Sequence, residues 1–163
     1  MNWKQTEKLV SWLVFAYSLV LYFLTVAPAT SFWDSGEFIA IANRLQVSHP
    51  PGAPFFMLIG RFFSMFVPTE YVALSVNLVS VFSSAITVLL LHLIIVRLIR
   101  EWQGHPSTWN PYDRIMALAG GAIGACTFAV TDSFWFNAVE AEVYALSMFF
   151  TAAVVYLILR WRE

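Results

Sequence analysis

The sequence has few charged residues and almost no cysteine. Charged side chains make up 12% of its 163 residues, whereas soluble domains carry about 25%. The formal net charge is −1, so no basic surface of the kind that binds nucleic acid is present. The lone cysteine, Cys126, excludes a disulfide within the chain. Nucleic-acid-binding proteins and disulfide-stabilised scaffolds are therefore excluded.

Apolar residues, in contrast, are abundant. They make up 60% of the chain, which is more than a soluble domain of this length can bury. Crossing about 30 Å of hydrocarbon takes roughly 20 helical residues, and four apolar runs are long enough: about 9–27, 72–99, 115–131 and 141–160. We therefore predict an all-α integral membrane protein with four transmembrane helices. None of these runs carries a charge deep inside, which argues against ion-coupled transport.

A fifth apolar run, about 53–67, is shorter and carries Arg61 near its middle. Basic residues favour the cytoplasmic side, and they decide whether this run crosses. With a cytoplasmic N-terminus and no crossing at 53–67, two basic residues lie outside, Arg44 and Arg61. The others then lie inside: Lys4, Lys8, Arg97, Arg100, Arg114, Arg160 and Arg162. We therefore predict a surface helix at 53–67 and expect the first apolar run to be retained rather than cleaved as a signal peptide.

The loop after the first span contains a second predicted surface helix, about 35–46. Its apolar residues recur at helical spacing: Phe38, Ile39, Ile41, Ala42 and Leu45. Asp34 precedes the helix and Glu37 follows three residues later, which is the spacing of an N-cap with its capping-box partner. The same two carboxylates, beside Trp33, also form a candidate acid/base site, because a carboxylate near an acceptor hydroxyl can take its proton. The two interpretations are compatible.

Further candidate binding residues lie in both outer loops. His49 belongs to a stiff His49-Pro50-Pro51-Gly52 turn. Arg61 either extends to the membrane surface or binds a lipid phosphate. The second outer loop again combines acids with aromatics, so we expect a cleft shared by both loops; its candidates are Asp132, Glu140, Glu142 and Tyr144. No spacing demands a metal, although these carboxylates could bind a divalent cation.

Three motifs in order resemble one family: Trp33-Asp34-Ser35-Gly36-Glu37-Phe38, His49-Pro50-Pro51-Gly52, and Glu140-Ala141-Glu142-Val143-Tyr144-Ala145-Leu146. They are similar to the N-terminal part of a bacterial family of GT-C-fold membrane glycosyltransferases, related to eukaryotic protein O-mannosyltransferase. The resemblance implies an inverting enzyme that moves a sugar, possibly mannose, from a polyprenyl-phosphate carrier to a protein or glycan acceptor. It places the site at the outer face of the bacterial inner membrane.

The resemblance also implies roles for individual residues. Asp34 and Glu37 are the catalytic candidates, and two residues separate them where the relatives have adjacent acids, so which one is the base stays open. The implied substrate-binding residues are Trp33, His49, Arg61, Asp132, Glu140, Glu142 and Tyr144. The relatives carry a lysine soon after the His-Pro-Pro motif; here Gly52 follows, and the role of that lysine is vacant or passes to Arg61.

Family members are much longer than this chain. We therefore expect residues 1–163 to form one transmembrane module, the N-terminal fragment of a longer multi-span protein. Two alternatives stay open at this point. One is a non-catalytic membrane scaffold or subunit whose outer acids bind a partner, and the other is a transporter-like protein.

Overall fold

A computed structural model describes residues 2–50 and 52–162, and over these residues the regular structure is entirely helical. The α-helices are α1 (Trp3–Thr25), α2 (Ser35–Arg44), α3 (Pro54–Ser64), α4 (Val72–Gln103), α5 (Pro111–Ala129), α6 (Asp132–Ala138) and α7 (Val143–Trp161); a short 3-10 turn, Thr69–Tyr71, leads into α4.

Three described helices are long and apolar enough to cross a membrane by themselves: α1, α4 with its leading turn, and α7. Helices α5 and α6 meet the same criterion only together, and they are bent by 70° at the break between them. The described residues thus provide three spans, or up to four if the bent pair is one broken span. The chain is an all-α integral membrane protein, as predicted.

Helix α4 is the centre of the molecule. It packs against α1, α5 and α7 along its length and against α3 near its start. One apolar core joins α4 to α2, α3 and α7, and a second joins α4 to α1, α5 and α6. Because α2 and α3 contribute to the first of these cores, the connection between α1 and α4 is packed against the long helices.

Helices are present at both positions predicted in the loop after the first span, with shorter bounds. Leu45 ends α2 by adopting a left-handed backbone, φ 52°, and its N–H donates to the carbonyls of Ile41 and Ala42. Gly60 of α3 lies where a Cβ atom would be 2.9 Å from Cβ of Ala42. The absence of a side chain at this position is what allows α3 to lie close against α2.

The predicted capping box at the start of α2 is wrong. Asp34 occupies the N-cap position, but its backbone is helical (φ −82°, ψ −2°) and its side chain makes no capping hydrogen bond within the described part of the chain. An N-cap residue usually has extended backbone, which points its oxygen at the first free N–H groups. The partner Glu37 contacts His49 instead. The Asp34 carboxylate is consequently left available.

Candidate active site

Glu37 holds His49 by two hydrogen bonds. The backbone N–H of His49 donates to Oε1 of Glu37 over 2.9 Å, and the imidazole Nδ1 lies 3.0 Å from Oε2. The chain turns sharply after His49, because the Gly52 N–H donates to the His49 carbonyl over 2.9 Å and Gly52 has φ 82°. Pro51 of the predicted turn lies outside the described residues. These bonds leave the other ring nitrogen, Nε2, facing Asp34 at 3.9 Å from Oδ2.

The two carboxylates of this loop are therefore different. The hydrogen bond from the His49 backbone, followed by the one from its ring, holds the pKa of Glu37 below its usual range. The same bond to Glu37 raises the pKa of His49. Asp34 has a side chain that is 57% exposed, and no hydrogen bond to it is found within residues 2–50 and 52–162. Of the two, Asp34 is the more exposed carboxylate, 57% against 38% for Glu37, and its contact with His49 is the longer one.

Trp33 precedes Asp34 in a left-handed conformation, φ 58°, with 86% of its surface exposed. A bulky residue rarely adopts this backbone, and such conformations concentrate at functional sites. The indole presents a flat apolar face beside the free carboxylate, which suits a sugar ring.

A second loop contributes two buried acids. Glu140 is 2% exposed and Glu142 is 7% exposed, and both lie in the connection between α6 and α7. Burial, followed by the nearby carboxylates of Glu140 and Asp34, raises the pKa of Glu142 to about 7. Burial also raises the pKa of Glu140, against the effect of the Ser31 hydroxyl. Asp34 and His49 both act electrostatically on Glu142, so the charged groups of the two loops lie near one another.

A direct backbone contact also joins the two loops. The N–H of Ala27, just after α1, donates to the carbonyl of Val139 over 2.9 Å. Polar side chains of α4 contact both loops. Asn77 donates to the carbonyls of Ala27 and Ala29, and the Ser80 hydroxyl bonds the backbone of Glu142.

The other predicted site residues have different surroundings. Arg61 donates to the carbonyl and side-chain oxygens of Asn43, at the opposite end of α2 from Asp34; a helix of this length spans about 15 Å. Asp132 is the first residue of α6. Tyr144 is 61% exposed and lines a cavity of about 300 Å³ with Phe134, Asn137 and other residues. The structure thus brings Asp34, Glu37, His49, Glu140 and Glu142 together, and keeps Arg61 apart.

Asp34, Glu37 and His49 could also hold a metal ion. Each offers one ligand atom, and these atoms lie within 4.8 Å of one another. Imidazole nitrogen and carboxylate oxygen are ligands that divalent cations such as Zn²⁺ and Mn²⁺ accept. The donor set therefore fits the divalent cation that the outer carboxylates suggested.

Neither Ser80 nor Asn77 is among the site residues predicted from the sequence. Serine within a membrane helix commonly bonds its own helix backbone, as Ser18 does here. The sequence therefore contained no signal that Ser80 bonds a distant loop.

The comparisons with known proteins agree with the three motifs. Residues 34–163 match the family described as protein O-mannosyl-transferase TMEM260 N-terminal domain. The chain is 30% identical over 150 residues to the protein O-mannosyl-transferase TMEM260 of Mus musculus, covering 92% of this chain and 19% of that protein. It is 26% identical over 147 residues to the protein O-mannosyl-transferase tmem260 of Dictyostelium discoideum, covering 89% of this chain and 16% of that protein.

No solved structure matches the chain. The chain spans less than one fifth of the length of these two relatives, 19% and 16%. The family match covers four fifths of the chain, from Asp34 onward. The chain belongs to the family of the protein O-mannosyl-transferase TMEM260 N-terminal domain.

Proposed function

We propose that this chain is the catalytic N-terminal module of a GT-C-type membrane glycosyltransferase. The reaction moves mannose from a polyprenyl-phosphate carrier to a hydroxyl of a protein or glycan acceptor. The names of both relatives support a mannosyl transfer to protein. The observation that carries the proposal is the Asp34 carboxylate, which is exposed and uncapped beside the Glu37–His49 pair.

In the proposed reaction Asp34 is the general base. The acceptor oxygen attacks the anomeric carbon of mannose while Asp34 takes the hydroxyl proton. The bond between the anomeric carbon and the phosphate oxygen breaks, and the carrier phosphate leaves with the bonding electrons. Attack from the face opposite the phosphate inverts the configuration. The general base contributes about 10²–10⁴ in rate.

Glu37 and His49 support this role from the side. Glu37 fixes the ring and the backbone of His49, and the raised pKa of His49 increases its positive fraction near neutral pH. The His49 ring faces the Asp34 carboxylate at 3.9 Å and so restricts the positions that this carboxylate can take. The exposed Trp33 indole covers one face of the sugar.

The proposed site faces the exterior of the cell, the periplasm if the membrane is a bacterial inner membrane. This orientation is supported by the distribution of basic residues, since most lie in the segments assigned to the cytoplasm together with the N-terminus. The acids of both site loops then lie on the side where the carrier presents its sugar.

The test is a transfer assay with the full-length protein in liposomes. The substrates are polyprenyl-phosphate mannose, radiolabelled in the sugar, and serine- and threonine-containing peptides. Asp34→Asn keeps the size of the side chain and cannot take a proton, so transfer should fall by about a hundredfold or more. Glu70→Gln, which removes an exposed carboxylate outside the site, is the matched control and should keep wild-type activity. Wild-type rates in Asp34→Asn would refute Asp34 as the base.

A further inference from the structure

We propose that Asn77 and Ser80 form a single anchor on α4 that sets the separation of the two site loops. Both are then positioning residues for the site that Asp34 and Glu142 share. The inference rests on the proposed function for its kinetic test and on geometry for its structural test.

Asn77 anchors the first loop. It is fully buried, and its Nδ2 donates to the carbonyl of Ala27 over 2.7 Å and to that of Ala29 over 3.0 Å. Both carbonyls belong to the connection that runs from α1 to Asp34. One amide group therefore fixes two points of the segment that delivers the proposed base.

Ser80 anchors the second loop. Its hydroxyl is buried and donates to the carbonyl of Glu142 over 3.4 Å, and it accepts from the N–H of the same residue over 3.5 Å. Contact with both backbone groups of Glu142 holds this residue just before α7 begins. Glu142, on which Asp34 acts electrostatically, is thus positioned by a buried residue of α4.

Asn77 and Ser80 act as one anchor because they are three residues apart on a helix and share a face. The Ala27–Val139 backbone bond closes the arrangement from the other side. Moving either loop requires breaking bonds to the same turn of α4. Because the Ala27–Val139 bond couples the loops, loss of either anchor contact should also let the segment that leads to Asp34 move. A displacement of about 1 Å at a reacting group costs up to about a hundredfold in rate, so turnover should fall.

The kinetic test compares two buried serines on the same helix in the full-length protein. Ser80→Ala removes the contact with Glu142. Ser84→Ala makes the same chemical change one turn later, where the hydroxyl is fully buried and has no hydrogen-bond partner within the described residues. Ser80→Ala should lower kcat by about tenfold to a hundredfold while the thermal midpoint stays near that of Ser84→Ala. Equal kcat in the two variants would overturn the proposal.

The structural test measures the loop separation directly. In a Cys126→Ser background, spin labels at Phe32, in the first loop, and at Tyr144, two residues after Glu142, report the loop separation by pulsed EPR distance measurement. Both positions are exposed. The distribution should broaden in Ser80→Ala and in Asn77→Leu, and should stay narrow in Ser84→Ala. If Asn77→Leu does not fold, Ser80→Ala decides alone.

The outcomes separate this inference from the proposed function. Absence of mannosyl transfer in the wild type would reject the function, and the distance measurement would still test the anchor. An unchanged distribution in Ser80→Ala would reject the anchor whatever the chemistry. A broadened distribution with an unchanged kcat would reject the positioning role.

Discussion

At the scale of single residues, the contact between Glu37 and His49 predicts how the imidazole titrates. The Glu37 carboxylate raises the pKa of His49 above 6.5 and has its own pKa lowered below 4.5. Both members of the pair are therefore charged at pH values between the lowered pKa of Glu37 and the raised pKa of His49. The charged pair is lost as pH rises through the raised pKa of His49 and as pH falls through the lowered pKa of Glu37.

We expect the NMR titration of the His49 ring, in buffer containing EDTA, to give a pKa above 6.5 in the wild type. In Glu37→Gln the pKa should move back toward 6.5, because the neutral amide no longer favours the imidazolium. The same titration in Glu70→Gln is the control and should match the wild type. A His49 pKa that does not respond to Glu37→Gln would show that the pair does not form.

Glu142 predicts a pH dependence of stability. Its pKa is raised from 4.5 to about 7, chiefly by burial and then by Glu140 and Asp34. A group whose pKa is raised by folding contributes stability below its unfolded pKa, and this contribution is lost as pH rises through the folded pKa. The relevant window is therefore pH 4.5 to about 7.

Glu142→Gln should remove this part of the pH dependence, because glutamine resembles the protonated acid. The thermal midpoint in detergent should be close to that of the wild type at pH 4.5 and higher than that of the wild type at pH 8. A difference between the two proteins that is equal at both pH values would contradict the burial of an ionising Glu142.

The site acids could be found from the sequence because they stand in short motifs with aromatics and a histidine. The local geometry of these acids could not be predicted from the sequence. The spacing of Asp34 and Glu37 fits a capping box, but the helical backbone of Asp34 and the competing contact with His49, twelve residues away, override it. Local spacing cannot report a partner that only the turn at 49–52 brings near.

At the scale of helices, the glycines of α5 predict the closeness of α5 and α4. A Cβ atom at Gly121 would lie 2.6 Å from Cγ2 of Val96 and 2.9 Å from Nδ1 of His92. At the neighbouring Gly120 the nearest atom, Cδ1 of Ile99, would be 3.8 Å away, which is ordinary contact. Small residues allow such close approach between membrane helices.

Gly121→Ala should therefore destabilise the protein by about 1–3 kcal/mol through overpacking. Gly120→Ala should be neutral or stabilising by up to about 1 kcal/mol, because alanine favours the helix. Denaturant unfolding in detergent of the two variants measures the difference. Equal stability of the two would mean that α5 does not pack on α4 through Gly121.

The long apolar helices could be predicted from composition, but the structure that follows the third span could not. The sequence predicts a loop after residue 131, whereas α6 begins at Asp132 after a 70° bend. This short helix contains Asp132, Ser133 and Asn137 among aromatics, so it has no clear periodicity. Packing of its buried Phe134 with Tyr22 and Phe128 supplies the order that the sequence pattern does not show.

At the scale of the whole molecule, orientation in the membrane is the main expectation to test. With seven basic residues assigned to the cytoplasmic side, the connection between α4 and α5 should lie inside and both site loops outside. Single cysteines at residues 48, 104 and 137, in a Cys126→Ser background, can be labelled with a membrane-impermeant maleimide. Residues 48 and 137 should label from outside, and residue 104 only after permeabilisation. Labelling of residue 104 in intact cells would mean that α3 crosses the membrane.

The bonds from α4 to the two loops also have a consequence for biosynthesis. Asn77 reaches back 50 residues to Ala27, whereas Ser80 reaches forward 62 residues to Glu142. Ribosomes add about 5–20 residues per second, so the segment leading to Asp34 can be fixed several seconds before Glu142 has been translated. In arrested nascent chains that end before residue 142, we expect the contacts of Asn77 with the first loop to be formed while Ser80 still lacks Glu142 as its partner.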